Sequence, residues 1–331
     1  MKIIVTGGAG FVGSHLIELL VSKKHFPIII DNLNSGIYSN IKKFVDFKKA
    51  KFIKCDIRNF KKVMQIPKVD AVIHLAAIAS VVESIDNPIF VNNVNVNGTL
   101  NILEFCRKKK IKKLVFTSSA AIYGDYAKKI TETSPTIPTT VYGSTKLTGE
   151  QYCKIYSDLF GINITVLRPF NIYGPRQNDT YAGVISKFMD RLNENKPPII
   201  LGDGKQTRDF IHVDDVATAF YLALKYTKKK FDVFNLATGK STTINELAKT
   251  FLLSTKKPKL QPIHKKSIPG VVIHNSTNPK KIKQNLHFTP TIILRDGIAK
   301  FVISQTSWLF NEIFNPNTIK QQKYFGKIWI F

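Results

Sequence analysis

The chain is poor in residues that cross-link. It has three cysteines, three methionines and two tryptophans in 331 residues. Cys55, Cys106 and Cys153 lie far apart, and no pair has the short spacing of a zinc or redox motif. An odd number of thiols does not make a disulfide framework, so three reduced cysteines in a cytoplasmic compartment are expected. Long apolar runs are also missing. None approaches the ~20 residues of a membrane helix. The N-terminus, Met1-Lys2-Ile3-Ile4-Val5-Thr6-Gly7, meets glycine too soon for a signal peptide. A soluble protein without membrane contact is expected.

Acid is scarce too: 23 Asp and Glu stand against 49 Lys and Arg, for a net charge of +26. Such a balance suits nucleic-acid binding. The lysines, however, are scattered in short groups such as Lys48-Lys49, Lys108-Lys109-Lys110 and Lys228-Lys229-Lys230. No single basic stripe with interleaved aromatics is visible. The expectation is a solvated lysine surface and no nucleic-acid partner. The same field attracts an anionic substrate.

What is present is a grammar of alternating elements. Lys2–Thr6, Pro27–Asp31, Phe52–Cys55, Ala71–Leu75, Leu114–Ser118 and Ile164–Leu167 read as short apolar strands. Phe11–Lys23, Asn92–Lys109 and Thr145–Phe160 read as helices. The alternation predicts parallel βαβ units, a doubly wound α/β sheet covered on both faces. After Arg168, prolines and glycines punctuate shorter elements, which suggests a smaller α/β lobe over the carboxyl edge of the sheet. The division expected is 1–167, completed by about 210–236, and a lobe of 168–209 with 237–331. The aromatic, lysine-rich Ile319–Phe331 reads as a packed or loose tail.

Gly7-Gly8-Ala9-Gly10-Phe11-Val12-Gly13 joins the first strand to the first helix. In that context Gly7, Gly10 and Gly13 permit a tight turn, close approach to a pyrophosphate and close helix packing. The helix N-terminus adds N–H groups and positive dipole. Asp31 ends the next strand, eighteen residues past Gly13. A carboxylate there suits two ribose hydroxyls and repels a 2′-phosphate, so the cofactor is NAD. Asp56 is placed to accept from an adenine amino group. Asn32 and Ile57 adjoin the two carboxylates. Leu75, Ala76 and Ala77 are small enough, or apolar enough, to run beside a cofactor. His74 reads as a packed histidine.

Tyr142 and Lys146 stand four apart, on one face of a helix. A free phenol titrates near ~10, too high for a base at neutral pH. A nearby ammonium stabilises phenolate and lowers that value. The tyrosine can then take a hydroxyl proton while hydride leaves the same carbon. Ser119, after another strand, can bond the reacting oxygen and relay its proton.

These residues, with His74–Ala77, Asn95–Thr99, Ser118–Gly124, Arg168–Gly174 and Arg208–Val213, resemble the extended short-chain dehydrogenase/reductases, in the NAD-dependent epimerase/dehydratase family. The pattern is similar to nucleotide-sugar 4-epimerases over Met1 to about Phe310. The resemblance implies Tyr142 as base, Lys146 as its electrostatic partner and nicotinamide-ribose ligand, and Ser119 as relay. It implies Asn95 as a structural asparagine near the lysine, among the cofactor-binding residues. Asn171 and Arg208 would hold the nucleotide diphosphate, with Val184 along the nucleotide. It also implies a homodimer and a UDP-sugar substrate.

The implied reaction oxidises C4 transiently, turns the 4-keto sugar and returns hydride to the opposite face. Family dehydratases carry an acidic pair where this chain has Ala120-Ala121, and the related decarboxylases have a glutamate nearby. A reductase, a dehydratase or an epimerase acting at another carbon is the alternative. Asn275 falls where the epimerases gate the sugar pocket. Being small, with Ser80 facing an N-acetyl group, it favours tolerance of UDP-N-acetylglucosamine beside UDP-glucose and UDP-galactose. The family's pyrophosphate arginine is replaced by Ile268, with Lys265 or Lys266 as candidate substitutes.

Overall fold

The structure, a computed structural model, describes residues 1–125, 129–177, 183–266 and 274–313. Strand β1 (Lys2–Thr6) enters the glycine turn and helix α1 (Phe11–Ser22). Next come β2 (Phe26–Asp31), α2 (Ser39–Asp46), β3 (Lys51–Lys54), α3 (Phe60–Met64) and β4 (Ala71–His74). Then follow α4 (Val81–Asp86), α5 (Pro88–Asn92), a π-turn at Asn93–Asn97, α6 (Gly98–Lys108) and β5 (Lys113–Thr117). A 3₁₀ turn at Ala120–Tyr123 precedes α7 (Val141–Phe160) and β6 (Asn163–Pro169).

The remaining segments have mostly short strands, of two or three residues, while the helices Val213–Lys225 and Leu294–Ile313 are as long as those before them. They are β7 (Asn171–Tyr173), α8 (Val184–Asn193), β8 (Ile199–Leu201), β9 (Thr207–Arg208), β10 (Phe210–His212), α9 (Val213–Lys225) and β11 (Phe231–Leu236). The chain continues through β12 (Thr242–Thr243), α10 (Ile244–Ser254), β13 (Ile263–Lys265), β14 (His274–Asn275), α11 (Lys280–Leu286) and α12 (Leu294–Ile313).

Seven strands form one parallel sheet in the order β11-β6-β5-β4-β1-β2-β3. The chain steps from β1 out to β3, then returns to lay β4 on the other side of β1. That reversal opens a crevice at the carboxyl ends of β1 and β4, where a dinucleotide fits an open α/β sheet.

Apolar residues cover both faces. One core joins Ile3, Val5, Leu16, Ile29 and Phe220, all fully buried; the other joins Val72, Val63, Leu103, Cys153 and Val166. Burying a side chain such as Phe220 contributes roughly 1.5–3 kcal/mol. Ile282, Leu286 and Phe288 join the first core, so this late segment packs with the sheet. A separate core of Phe188, Leu192, Leu247, Phe251 and Phe301 holds the second lobe.

Two helix boundaries differ from the sequence reading. The helix expected over Asn92–Lys109 is interrupted by the π-turn. Such turns insert one extra residue and re-aim side chains, often at functional sites. The helix expected from Thr145 starts at Val141, because Thr140 caps it by accepting the Gly143 N–H at 3.0 Å. Tyr142 therefore stands in its first turn.

Candidate active site

The reversal point opens into a cavity of about 1330 Å³. The glycine turn forms its floor. Gly7 has φ +68, and a Cβ there would lie 2.9 Å from the Ala76 nitrogen. A Cβ on Gly13 would lie 2.1 Å from the Gly7 oxygen, inside any contact distance. Gly10 begins α1 with no side-chain cap and no acid in the first turn, which leaves N–H groups and dipole for a phosphate. Phe11 and Val12 line the same wall.

Asp31 is buried, and its Oδ2 accepts the Ala9 N–H at 3.0 Å while Oδ1 accepts that of Leu33 at 2.8 Å. Burial pushes its carboxyl up, against those two bonds. Each oxygen keeps a lone pair for a hydroxyl. Asp56 is engaged differently: Arg58 forks onto it at 2.7 and 3.0 Å and pulls its carboxyl down to about 2, with Asn32 Nδ2 at 3.1 Å. It is a fixed carboxylate at the cavity wall, beside Asn32 and Ile57.

Leu75, Ala76 and Ala77 extend β4 along the cavity. Their path is fixed by a chain of buried hydrogen bonds. Thr6 Oγ1 accepts from the Leu75 and Ala76 N–H groups, both at 3.1 Å, so its own proton goes to His74 Nδ1 at 2.7 Å. His74 is thus the neutral Nε2–H tautomer and donates to Thr99 Oγ1 at 3.0 Å. Thr99 in turn donates to the Asn95 carbonyl at 2.5 Å. Burial, with the Lys146 charge second, pushes the His74 imidazole down to about 3. His74 is a packed histidine, as expected.

Asn95, expected among the cofactor-binding residues, is instead buried behind the cavity wall and does not line it. Its side chain accepts the Ile78 N–H at 2.8 Å and donates to the Ile78 carbonyl at 2.9 Å and to Thr145 Oγ1 at 3.0 Å. It ties the β4 extension to α7 through Thr145, the neighbour of Lys146.

Ser119, Tyr142 and Lys146 all face the cavity. Ser119 Oγ accepts the Ala121 N–H at 3.1 Å, which orients its hydroxyl. Lys146 Nζ donates to the Thr117 carbonyl at 2.9 Å and lies 6.0 Å from the Tyr142 ring centre. Complete burial pushes this ammonium down to about 8. One helical turn on, Glu150 pairs with Arg168 at 2.6 and 2.8 Å. Arg168 also reaches Tyr123 Oη at 2.6 Å, and Tyr123 donates to Asn235 at 2.7 Å. This buried network braces α7 against β6 and β11.

Ser80, beyond the β4 extension, and Asn171, Val184 and Arg208 also line the cavity. Ser80 Oγ caps α4 by accepting the Glu83 N–H at 3.1 Å, leaving its proton to donate. Asn171 Nδ2 donates to the Asp209 carbonyl at 3.0 Å. Arg208 donates to the Thr207 carbonyl at 2.8 Å, and burial pushes its guanidinium down. The backbone of Asn275 is the register partner of Arg208. Ile268, Gly270 and the Ile319–Phe331 tail lie outside the described residues.

Thr117 and Ser118, which precede Ser119, line the cavity with it, and sequence reading missed Lys187 and Arg191, which line it too. Lys187 and Arg191 stand i,i+4 on α8, a spacing that could have shown their shared face. Lys265 and Lys266 do not line the cavity. Thr117 Oγ1 and Ser118 Oγ are buried without a hydrogen-bond partner among the described residues. Such groups cost free energy unless a ligand bonds them. Gly7, Gly13, Asp31 and these hydroxyls suit a dinucleotide.

Sheet, reversal point and glycine turn define a dinucleotide-binding α/β protein. Residues 3–237 match the NAD dependent epimerase/dehydratase family, and the chain belongs to it, with NAD as its cofactor. It is 40% identical over 315 residues to a putative UDP-glucose 4-epimerase of Methanocaldococcus jannaschii, covering 93% of this chain and 98% of that one. Among solved structures, the UDP-glucose 4-epimerase of Thermotoga maritima with UDP-glucose is 35% identical, with TM-score 0.88 over 93% of this chain and all of that one. The UDP-N-acetylglucosamine 4-epimerase of Methanobrevibacter ruminantium, in complex with UDP-N-acetylmuramic acid, is 32% identical, with TM-score 0.87 over 93% and 98%.

Proposed function

We infer that the protein is an isomerase, a 4-epimerase of a UDP-hexose or UDP-N-acetylhexosamine. The observation that carries the reading is the meeting of Ser119, Tyr142 and Lys146 in one cavity with the glycine turn and Asp31. The names of its relatives supply the UDP-sugar. Among dehydratase, decarboxylase and epimerase forms, Ala120-Ala121 after Ser119 favours the epimerase, since elimination lacks its acid and base there.

Gly7, Gly10, Gly13, Asp31 and Asp56 would hold NAD along the carboxyl edge. NAD, when bound, supplies the hydride acceptor for C4. Tyr142 takes the 4-hydroxyl proton as C4 is oxidised, and gives it back after the 4-keto sugar has turned. Lys146 stabilises the phenolate and holds the ribose. Ser119 bonds the reacting oxygen and relays its proton. Arg208 and Asn171 hold the diphosphate, Lys187 and Arg191 add positive charge beside it, and Val184 lies along the nucleotide. Small Asn275 and the free proton of Ser80 support tolerance of an N-acetyl group.

We assign 1–167, completed by 210–236, to NAD and 168–209 with 237–331 to substrate, save that Ile282, Leu286 and Phe288 within the latter pack with the sheet. The account also takes the protein as a cytoplasmic homodimer. Exposed Ile155 and Leu159, four apart on α7, support a subunit contact. Proton NMR of UDP-glucose and UDP-N-acetylglucosamine with purified protein tests the activity. C4 inversion lost in Tyr142→Phe is expected. No inversion of either sugar, with NAD supplied, overturns the reading.

A further inference from the structure

A parallel sheet gathers every helix-to-strand connection at one edge, opposite the cleft. In this chain five of the six connections carry lysine: Lys23-Lys24 before β2, Lys48-Lys49 before β3, Lys68 before β4, Lys109-Lys110 and Lys112 before β5, and Lys228–Lys230 before β11; Gly161-Ile162 before β6 does not. Apart from half-buried Lys109, these lysines are exposed. They bring a single carboxylate with them, Asp70, which accepts the Lys2 N–H at 2.7 Å. Backbone bonds hold the connections together: Asp70 N–H to Lys2, Asn163 N–H to Lys112 and Ile164 N–H to Lys230. The connections after β1 to β5, at the cleft edge, carry no lysine up to the helix or turn that follows each strand. Arg58, after β3, is paired with Asp56, and Lys54 and Lys240 stand singly at that edge, so the topology concentrates the grouped lysines at the opposite one.

With strands about 4.8 Å apart, seven span about 30 Å. The row thus forms a broad positive edge rather than a point site. Large apolar side chains stand out along it: Met1 is 53% exposed, Phe26 36% and Phe47 74%. Met1, Phe26, Lys2, Lys24 and Lys68 surround one shallow hollow there. Lysines with protruding apolar tips match the boundary of an anionic bilayer, where ammonium groups meet lipid phosphates and apolar tips enter the headgroup layer. Methionine and scattered phenylalanines on an edge that lacks arginine forks fit lipid better than nucleic acid.

We propose that this edge docks the protein on an anionic phospholipid surface, with the catalytic cleft facing away into solvent. The test is co-sedimentation of the full chain with phosphatidylcholine vesicles, with and without phosphatidylglycerol. Binding only to the anionic vesicles, released by high salt, is expected. Lys24→Glu, Lys68→Glu, Lys110→Glu and Lys229→Glu together should weaken it at least tenfold. A control carrying the same charge change at exposed Lys240, Lys249, Lys259 and Lys283 should retain it. Both variants should keep wild-type epimerase activity. No binding to anionic vesicles, or equal loss in the control, overturns the proposal. So does retention on polyuridylate that anionic vesicles do not compete away, which assigns the edge to nucleic acid instead. Vesicle binding does not depend on the sugar specificity, so its failure leaves the epimerase reading intact.

Discussion

Replacing Lys146 by methionine keeps the volume of the side chain and removes its charge. The ammonium lies 6.0 Å from the Tyr142 ring centre. At an effective dielectric of about 20, unit charges at that distance interact by about 2.8 kcal/mol. That is about two pH units on the phenol and about a hundredfold in rate where phenolate is the base. Lys146→Met should therefore lower kcat about a hundredfold at pH 7.5 with NAD saturating, and move the acid limb of the profile up by about two units. In the wild type, loss of the Lys146 proton should give a falling limb, since burial pushes this ammonium down to about 8. The variant should lack that limb. Initial rates of C4 inversion across pH 5.5–10 read all three. A variant with kcat within threefold of wild type and an unmoved acid limb would refute the electrostatic role of Lys146.

Gly13→Ala should abolish NAD binding in a fluorescence titration, because its Cβ would lie 2.1 Å from the Gly7 oxygen. Glu150→Ala should cost about 3–5 kcal/mol in denaturant unfolding, since it leaves Arg168 buried and unpaired; Glu150→Asp should recover part of it. His74 contributes a pH dependence of known sign. Its folded value, about 3, lies below the unfolded 6.5, so its contribution to stability is complete above pH 6.5. Below that the unfolded chain binds the proton first, and stability falls by up to about 1.4 kcal/mol per pH unit toward pH 3. His74→Gln should be less stable at pH 7 and show a shallower slope between pH 6.5 and 4.

Six of the seven strands were legible because buried parallel strands leave short apolar runs such as Pro27–Asp31 and Ala71–Leu75; β11 was not, because its apolar residues are interrupted by Asp232 and Asn235. The glycine turn was legible because only glycine fits Gly7 and Gly13. The catalytic helix was read late because the cap at Thr140 precedes β-branched Val141 and a glycine, which disguise its first turn. The π-turn escaped because the partners of Asn95 within it, Ile78 and Thr145, are seventeen and fifty residues away in the chain. The cations on α8 were visible as a spacing, but the cavity they face is formed by distant segments. The lysines looked scattered for the same reason: their groups are far apart along the chain, and only the parallel topology lines them up. The bidentate grip of Arg58 on Asp56, two residues apart, is local and stands in plain view in the sequence.

The central claim is transient oxidation at C4, and UDP-glucose carrying deuterium at C4 tests it most directly. In ordinary water without added reductant, the inverted product should keep its deuterium at C4, because the same hydride leaves and returns. Inverted product with hydrogen from solvent at C4 would contradict the account, whichever residue served as base.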